Sequence, residues 1–210
     1  MFKKFRGISL FELIISIIIM SLIILGIYNI EAFSTSQVID SDRRARVQND
    51  LAYVLEHMSK YIQQANGDKS DPANPKPAIV QTGSGFQVRV DFRDPQIPSD
   101  LDNGAWVSYS LDSSLHTLST SCSVYGTGTC GSFISEILSN KIIGNFVGDT
   151  IIPDGATDGF YVNINPSGNL VDIGLVGRWD PGSPVITGTR FVNPQVEMKT
   201  RIISNSSSGQ

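Results

Sequence analysis

Residues 1–30 read MFKKFRGISLFELIISIIIMSLIILGIYNI, and this stretch decides how the chain is organised. Between Ile8 and Ile30 the only charge among 23 residues is Glu12. As a helix that run would be about 34 Å long, enough for a hydrocarbon core of about 30 Å. Lys3, Lys4 and Arg6 precede it, with no acid in the first seven positions. The positive-inside bias therefore predicts a cytoplasmic N-terminus and a remainder on the far side of the membrane. A cleaved secretory signal fits poorly: its apolar region spans about 7–15 residues, and Gly26-Ile27-Tyr28 offers no Ala-x-Ala-like site. A plain signal anchor fits the length but leaves Glu12 to be explained. A carboxylate within a membrane costs on the order of a few kcal/mol, so it either stays wet near the interface or has a partner.

The whole chain carries 16 basic and 20 acidic residues, a formal charge of −4. Without the three N-terminal cations, 13 basic residues face 20 acidic ones, a net −7. That balance argues against nucleic acid as a partner, because phosphate contacts need clustered Lys and Arg. Two cysteines and two histidines are too few for a Cys/His metal cluster. At 210 residues the chain suits one domain with a real core.

Beyond Ile30 the helical pattern continues but becomes one-sided. Val47, Leu51, Val54, Leu55, Met58, Ile62 and Ala65 recur at steps of three and four, with Arg44, Arg46, Asp50, Glu56 and Lys60 between them. The spacing predicts an amphipathic helix over 31–66, stopped by Asn66-Gly67 and the following Pro72, Pro75 and Pro77. The remainder, 67–203, reads as β. Phe86–Phe92 alternates, Trp106–Leu111 and Leu115–Ser119 flank a turn at Asp112-Ser113-Ser114, and Phe160–Ile164 leads through Pro166-Ser167-Gly168-Asn169 into Leu170–Val176. Val196, Met198, Thr200 and Ile202 oppose Glu197, Lys199 and Arg201. Phe133–Asn140 is predicted to be a short helix, and 204–210 a disordered tail.

The segment Arg6-Gly7-Ile8-Ser9-Leu10-Phe11-Glu12-Leu13 resembles the prepilin (class III) signal of type IV pilins and type II secretion pseudopilins. The resemblance implies that 1–7 is a leader and that a prepilin peptidase/methyltransferase cuts between Gly7 and Ile8 and N-methylates Ile8. It also places Glu12 at the fifth mature position, where the family pairs the carboxylate with a neighbour's N-terminal amine. Such a pair in a dry bundle favours one axial register over slipped ones. The implied fold is α+β and pilin-like: a long N-terminal helix, 8–30 in the membrane, packed on an antiparallel β head. The implied partners are other pilins or pseudopilins and an inner-membrane assembly platform, and the implied role is structural rather than enzymatic. Asn29 stands where major pilins usually carry Pro, which points to a minor subunit. The Val-Ser-Tyr-Ser-Leu strand, the short Ser-Glu-Ile-Leu-Ser helix, a strand containing Phe146 and the closing Thr200–Asn205 resemble J-class pseudopilins and W-class minor pilins. That implies a subunit that starts or caps a pilus or type II secretion pseudopilus. The rivals are a minor pilin for adhesion or DNA uptake, and a membrane-anchored periplasmic binding or enzymatic domain.

Other candidates are weaker. Cys122 and Cys130, in a Gly- and Ser-rich stretch outside the cytoplasm, are expected to pair, the alternative being two free thiols. Gly126, Gly128 and Gly131 spell G-x-G-x-x-G without the strand–turn–helix that a dinucleotide site needs. Asp94, Asp100 and Asp102 lack the spacing of a known calcium loop. His57 and His116 have no visible catalytic partner, so no cofactor, metal or catalytic residue is expected.

Overall fold

The computed structural model describes residues 9–65, 77–83, 85–90, 105–124, 130–131, 133–144, 159–165, 170–185 and 192–204. Among the described residues there is one helix, α1 (Leu10–Gln63), 54 residues long and so about 80 Å from end to end. Ser9 caps its start, its Oγ accepting from the Glu12 N–H at 3.2 Å. The helix runs through Gly26 and Asn29 without a break, and Asn29 Nδ2 donates to the Leu25 carbonyl at 2.9 Å. It ends at Gln63, three residues before the expected Asn66-Gly67 stop, which lies outside the described residues.

Eight strands follow: β1 (Ile79–Thr82), β2 (Gly85–Val90), β3 (Ala105–Asp112), β4 (Thr117–Val124), β5 (Glu136–Ser139), β6 (Phe160–Ile164), β7 (Leu170–Arg178) and β8 (Gln195–Ile203). They form two antiparallel sheets, β1-β2-β3-β4-β5 and β6-β7-β8. The long N-terminal helix and the antiparallel strands make the fold α+β.

The amphipathic face does what its spacing predicts. Val47, Leu51, Val54, Leu55, Met58, Ile62 and Ala65 are all buried, in one continuous core with side chains from both sheets. Alternation holds in β2, where Phe86, Val88 and Val90 face inward, and in β3, where Ala105, Val107, Tyr109 and Leu111 do. Phe92 lies outside the described residues.

Two links join the sheets, one through the backbone and one through a side chain. After β5 the chain crosses to β7, where Ile142 bridges Gly177, Ile143 N–H donates to Val176 O at 3.1 Å and Arg178 N–H to Lys141 O at 2.9 Å. At the other side, Gln81 Nε2 reaches from β1 to Val162 O in β6 at 3.3 Å.

Two elements depart from the sequence reading. The Ser135–Ser139 stretch is not a helix: Glu136–Ser139 is β5, paired with β4 through Ser119↔Ile137 and Thr120↔Glu136. Phe133, Ile134, Ile137 and Leu138 imitate a helical repeat, but the segment is too short to repay helix nucleation. Pairing with β4 satisfies its backbone while Leu138 and Ser139 are buried. β1, absent from the sequence reading, is four residues long.

Candidate functional site

The N-terminal half of α1 is apolar on every side. Its large side chains are all exposed, from Ile15 at 41% to Leu10 at 78%. An 18-residue window of this helix is long and apolar enough to cross a membrane, and none of it is buried in the protein. Its polar groups are spent internally: Ser16 Oγ donates to Glu12 O and Ser21 Oγ to Ile17 O, each at 2.8 Å. A hydroxyl bonded to its own helix four residues back can sit in an apolar medium without an unmet hydrogen bond.

Glu12 lies in the first turn of α1, exposed, beside the orphan N–H groups that favour a negative charge. Ser9-x-x-Glu12 is also the spacing of a capping box, a signal the sequence reading passed over. Glu12 therefore has a local reason to be there, as well as any reason supplied by a neighbour. Gly7 and Ile8, the expected cleavage and methylation positions, lie outside the described residues, as do Asp94, Asp100, Asp102, Gly126, Gly128 and Phe146.

In the head, Cys122 at the end of β4 is bonded to Cys130, with their Cα atoms 6.0 Å apart. Gly131 follows with φ 56°, a backbone turn that favours glycine over residues with a Cβ. His57 sits on α1 among rings, 5.0 Å from Tyr61 and 5.8 Å from Tyr109 by centroids, with Nδ1 3.1 Å from Tyr109 Oη. Burial pushes the His57 pKa down, against the pull of Glu136, and pushes the Tyr109 phenol well above its ordinary value. This is a packed aromatic cluster rather than an acid–base pair. His116, at φ 57°, closes the β3–β4 turn and accepts the Gly144 N–H on Nδ1 at 3.1 Å. It holds the hairpin onto the crossing strand. Among the described residues no group of three or more His, Cys, Asp or Glu is placed to hold a metal ion.

The sequence reading missed one cluster. Trp179, just beyond β7, lies 5.7 Å from Arg43 Cζ, 5.9 Å from Arg46 Cζ and 4.8 Å from Lys141 Nζ, measured to the ring centroid. The two arginines come from α1 and the lysine from the crossing after β5. No local pattern connects them.

No protein-family model matches the chain, and no curated protein or solved structure matches it. The arrangement itself offers an exposed apolar helix, a charged group in its first turn, and a β head packed on its second half.

Proposed function

We propose that this chain is a structural subunit of a type IV pilin-like filament, a minor pilin or type II secretion pseudopilin that starts or caps it. The observation that carries the reading is the position of Glu12. It is the single charge of the apolar run, at a fixed offset from the Gly7–Ile8 junction, on a helix continuous from that charge into the head. Glycine before the scissile bond gives a peptidase close access to the backbone. Processing on the cytoplasmic side leaves the helix intact to anchor first and polymerise later. In a bundle of such helices, a Glu12 carboxylate paired with a neighbour's Ile8 amine would set the axial register. Asn29 in place of Pro fits a low-copy subunit, with its unbroken helix. The β5 strand found in place of the short helix removes one of the points of likeness to J-class and W-class subunits, so the choice between pilus and secretion system stays with the operon.

A second reading has its own support. Ser9 and Glu12 together begin a helix well, and a membrane-anchored binding domain would need nothing more from them. Expression with and without a prepilin peptidase separates the two. The filament reading expects loss of residues 1–7 and a methylated Ile8 by mass spectrometry, only with the peptidase. A leader retained in its presence refutes that reading. Glu12→Ala should then be processed normally but incorporated poorly.

A further inference from the structure

His116 holds a backbone conformation that its residue type resists. At φ 57° it lies in the left-handed region, which glycine enters freely and a residue with a Cβ does not. Its side chain offsets that strain. Nδ1 accepts the Gly144 N–H at 3.1 Å and so brings the tip of the β3–β4 hairpin onto the crossing after β5. An amide N–H can only donate, so Nδ1 carries a lone pair and the ring proton sits on Nε2. The bond therefore exists only while the imidazole is neutral. A protonated ring has N–H at both nitrogens, and Nδ1–H would face the Gly144 N–H donor to donor.

The two sides of this contact differ in how freely they can move. The crossing is fixed: Ile142 and Ile143 are buried, and Ile143 N–H and Lys141 O are bonded to β7. The tip is built from within. Asp112 Oδ1 accepts the Ser114 N–H at 2.9 Å, Ser114 Oγ at 2.6 Å and the Leu115 N–H at 3.1 Å, and Leu115 stands 67% exposed. The tip can thus lift as a unit without unmaking its own turn. The charged groups around the ring permit that second state. Asp112, at the start of the same turn, acts on His116 by its charge, so a protonated ring that loses Gly144 gains a carboxylate. On the crossing, Lys141 Nζ is engaged at the Trp179 carbonyl, and on β5 Glu136 accepts from Tyr53 Oη. We propose that His116 is a proton-sensitive latch: neutral, it holds the hairpin tip on the crossing through Gly144, and protonated, it releases the tip. Histidine changes charge between about pH 5 and 8. The proposal rests on neither the membrane span nor the filament.

The test uses the full chain in micelles, labelled with heavy nitrogen in glycine and histidine and followed by NMR from about pH 8 to 5. The His116 ring should carry one proton, on Nε2, at the upper end and two at the lower, and the Gly144 amide shift should follow the same curve. Exchange of the Gly144 amide, corrected for its intrinsic pH dependence, should quicken about three- to tenfold in acid through loss of one hydrogen bond. His116→Gly suits the left-handed backbone and should exchange fast at every pH. His116→Asn also tolerates that backbone but does not titrate, so the pH step should vanish. His57→Gln should leave the step in place. A Gly144 amide indifferent to protonation of the His116 ring overturns the proposal. A step that survives either His116 variant, or is lost with His57→Gln, overturns it too. Near-ultraviolet circular dichroism should stay constant across the step; if it collapses there, the head is unfolding as a whole and the latch is refuted.

Discussion

At Gly177 the side chains of α1 pack directly over β7, and the site offers a sharp test of how the head is built. A Cβ placed there would stand 3.1 Å from Leu51 Cδ2, 3.2 Å from Val47 Cγ1 and 3.2 Å from the Lys141 carbonyl. The carbonyl is pinned by its bond from Arg178 N–H, so the side chains of α1 must yield. Gly177→Ala should destabilise by about 1–3 kcal/mol through overpacking, less about 0.4–1 kcal/mol regained from a stiffer unfolded chain. Leu51 is fully buried, and Leu51→Ala should cost about 3–5 kcal/mol. The two changes touch the same space. With Leu51 shortened, its Cδ2 is gone and the new methyl partly fills the hole. The double variant should therefore be more stable than the sum of the singles by at least about 1 kcal/mol. Urea unfolding of the micelle-held chain, followed by tryptophan fluorescence in variants that keep only Trp106 in β3 or only Trp179 just beyond β7, measures this if both give one transition with an unchanged slope. Additivity within about 0.5 kcal/mol would show that α1 does not lie on β7 at this register.

Three further outcomes follow from single sites. Replacing Cys122 and Cys130 with serine opens a loop of sequence separation 8 and should cost about 2–3 kcal/mol in the same unfolding assay; no loss would mean the loop is equally constrained without it. His57 is held neutral by burial, its pKa below the ordinary value of 6.5. The unfolded chain takes up that proton first, so stability is full above about pH 6.5 and declines as pH falls through it, until the folded state protonates as well. His57→Gln should flatten that part of the profile, and an unchanged slope would assign it to other groups. Gly144→Ala would push a Cβ to 2.9 Å from the Ser113 carbonyl carbon and should destabilise the head by about 1–3 kcal/mol; a neutral result would mean the β3–β4 turn does not rest on the crossing strand.

How much of this was legible depended on whether one element or several made the feature. The face from Val47 to Ala65 was readable because a single helix buries it, so spacing alone carries the signal. The strands β2, β6 and β8 were readable for the same reason at period two, and β3 and β7 from the turn residues beside them, β7 being buried continuously from Ile173 to Gly177. β5 was misread because its apolar residues fit a helix as well as a strand, and only the free edge of β4 decides between them. Cys122 and Cys130 lie near each other in sequence and in space. The Trp179 cluster could not be seen, because Arg43, Arg46, Lys141 and Trp179 meet only when α1, the crossing after β5 and the end of β7 are packed together. The Ser9 cap is a local signal in the sequence, since Ser9 and Glu12 stand at the capping-box spacing.

The two halves of α1 differ in chemistry rather than conformation, and that difference constrains any function. From Val47 onward the chain covers its own apolar face with two sheets. Between Leu10 and Ile30 it covers nothing, and sixteen large apolar side chains stand exposed. Burying one such side chain is worth about 1.5–3 kcal/mol, so leaving this set in water forgoes on the order of tens of kcal/mol. That exceeds the whole stability of an ordinary domain, about 5–15 kcal/mol. Lipid or a bundle of other helices would cover this half along its full circumference, and its length and composition suit a membrane span. Glu12 distinguishes these two covers. In lipid it is tolerable because it lies one turn from the helix start, within reach of the interface. Among other helices it must find a cation, and in the proposed assembly the Ile8 amine freed by removal of the leader would supply one. A helix that passes from lipid into a bundle would change the partner of Glu12 while changing little else, which is why this single residue is the place to test the proposed assembly.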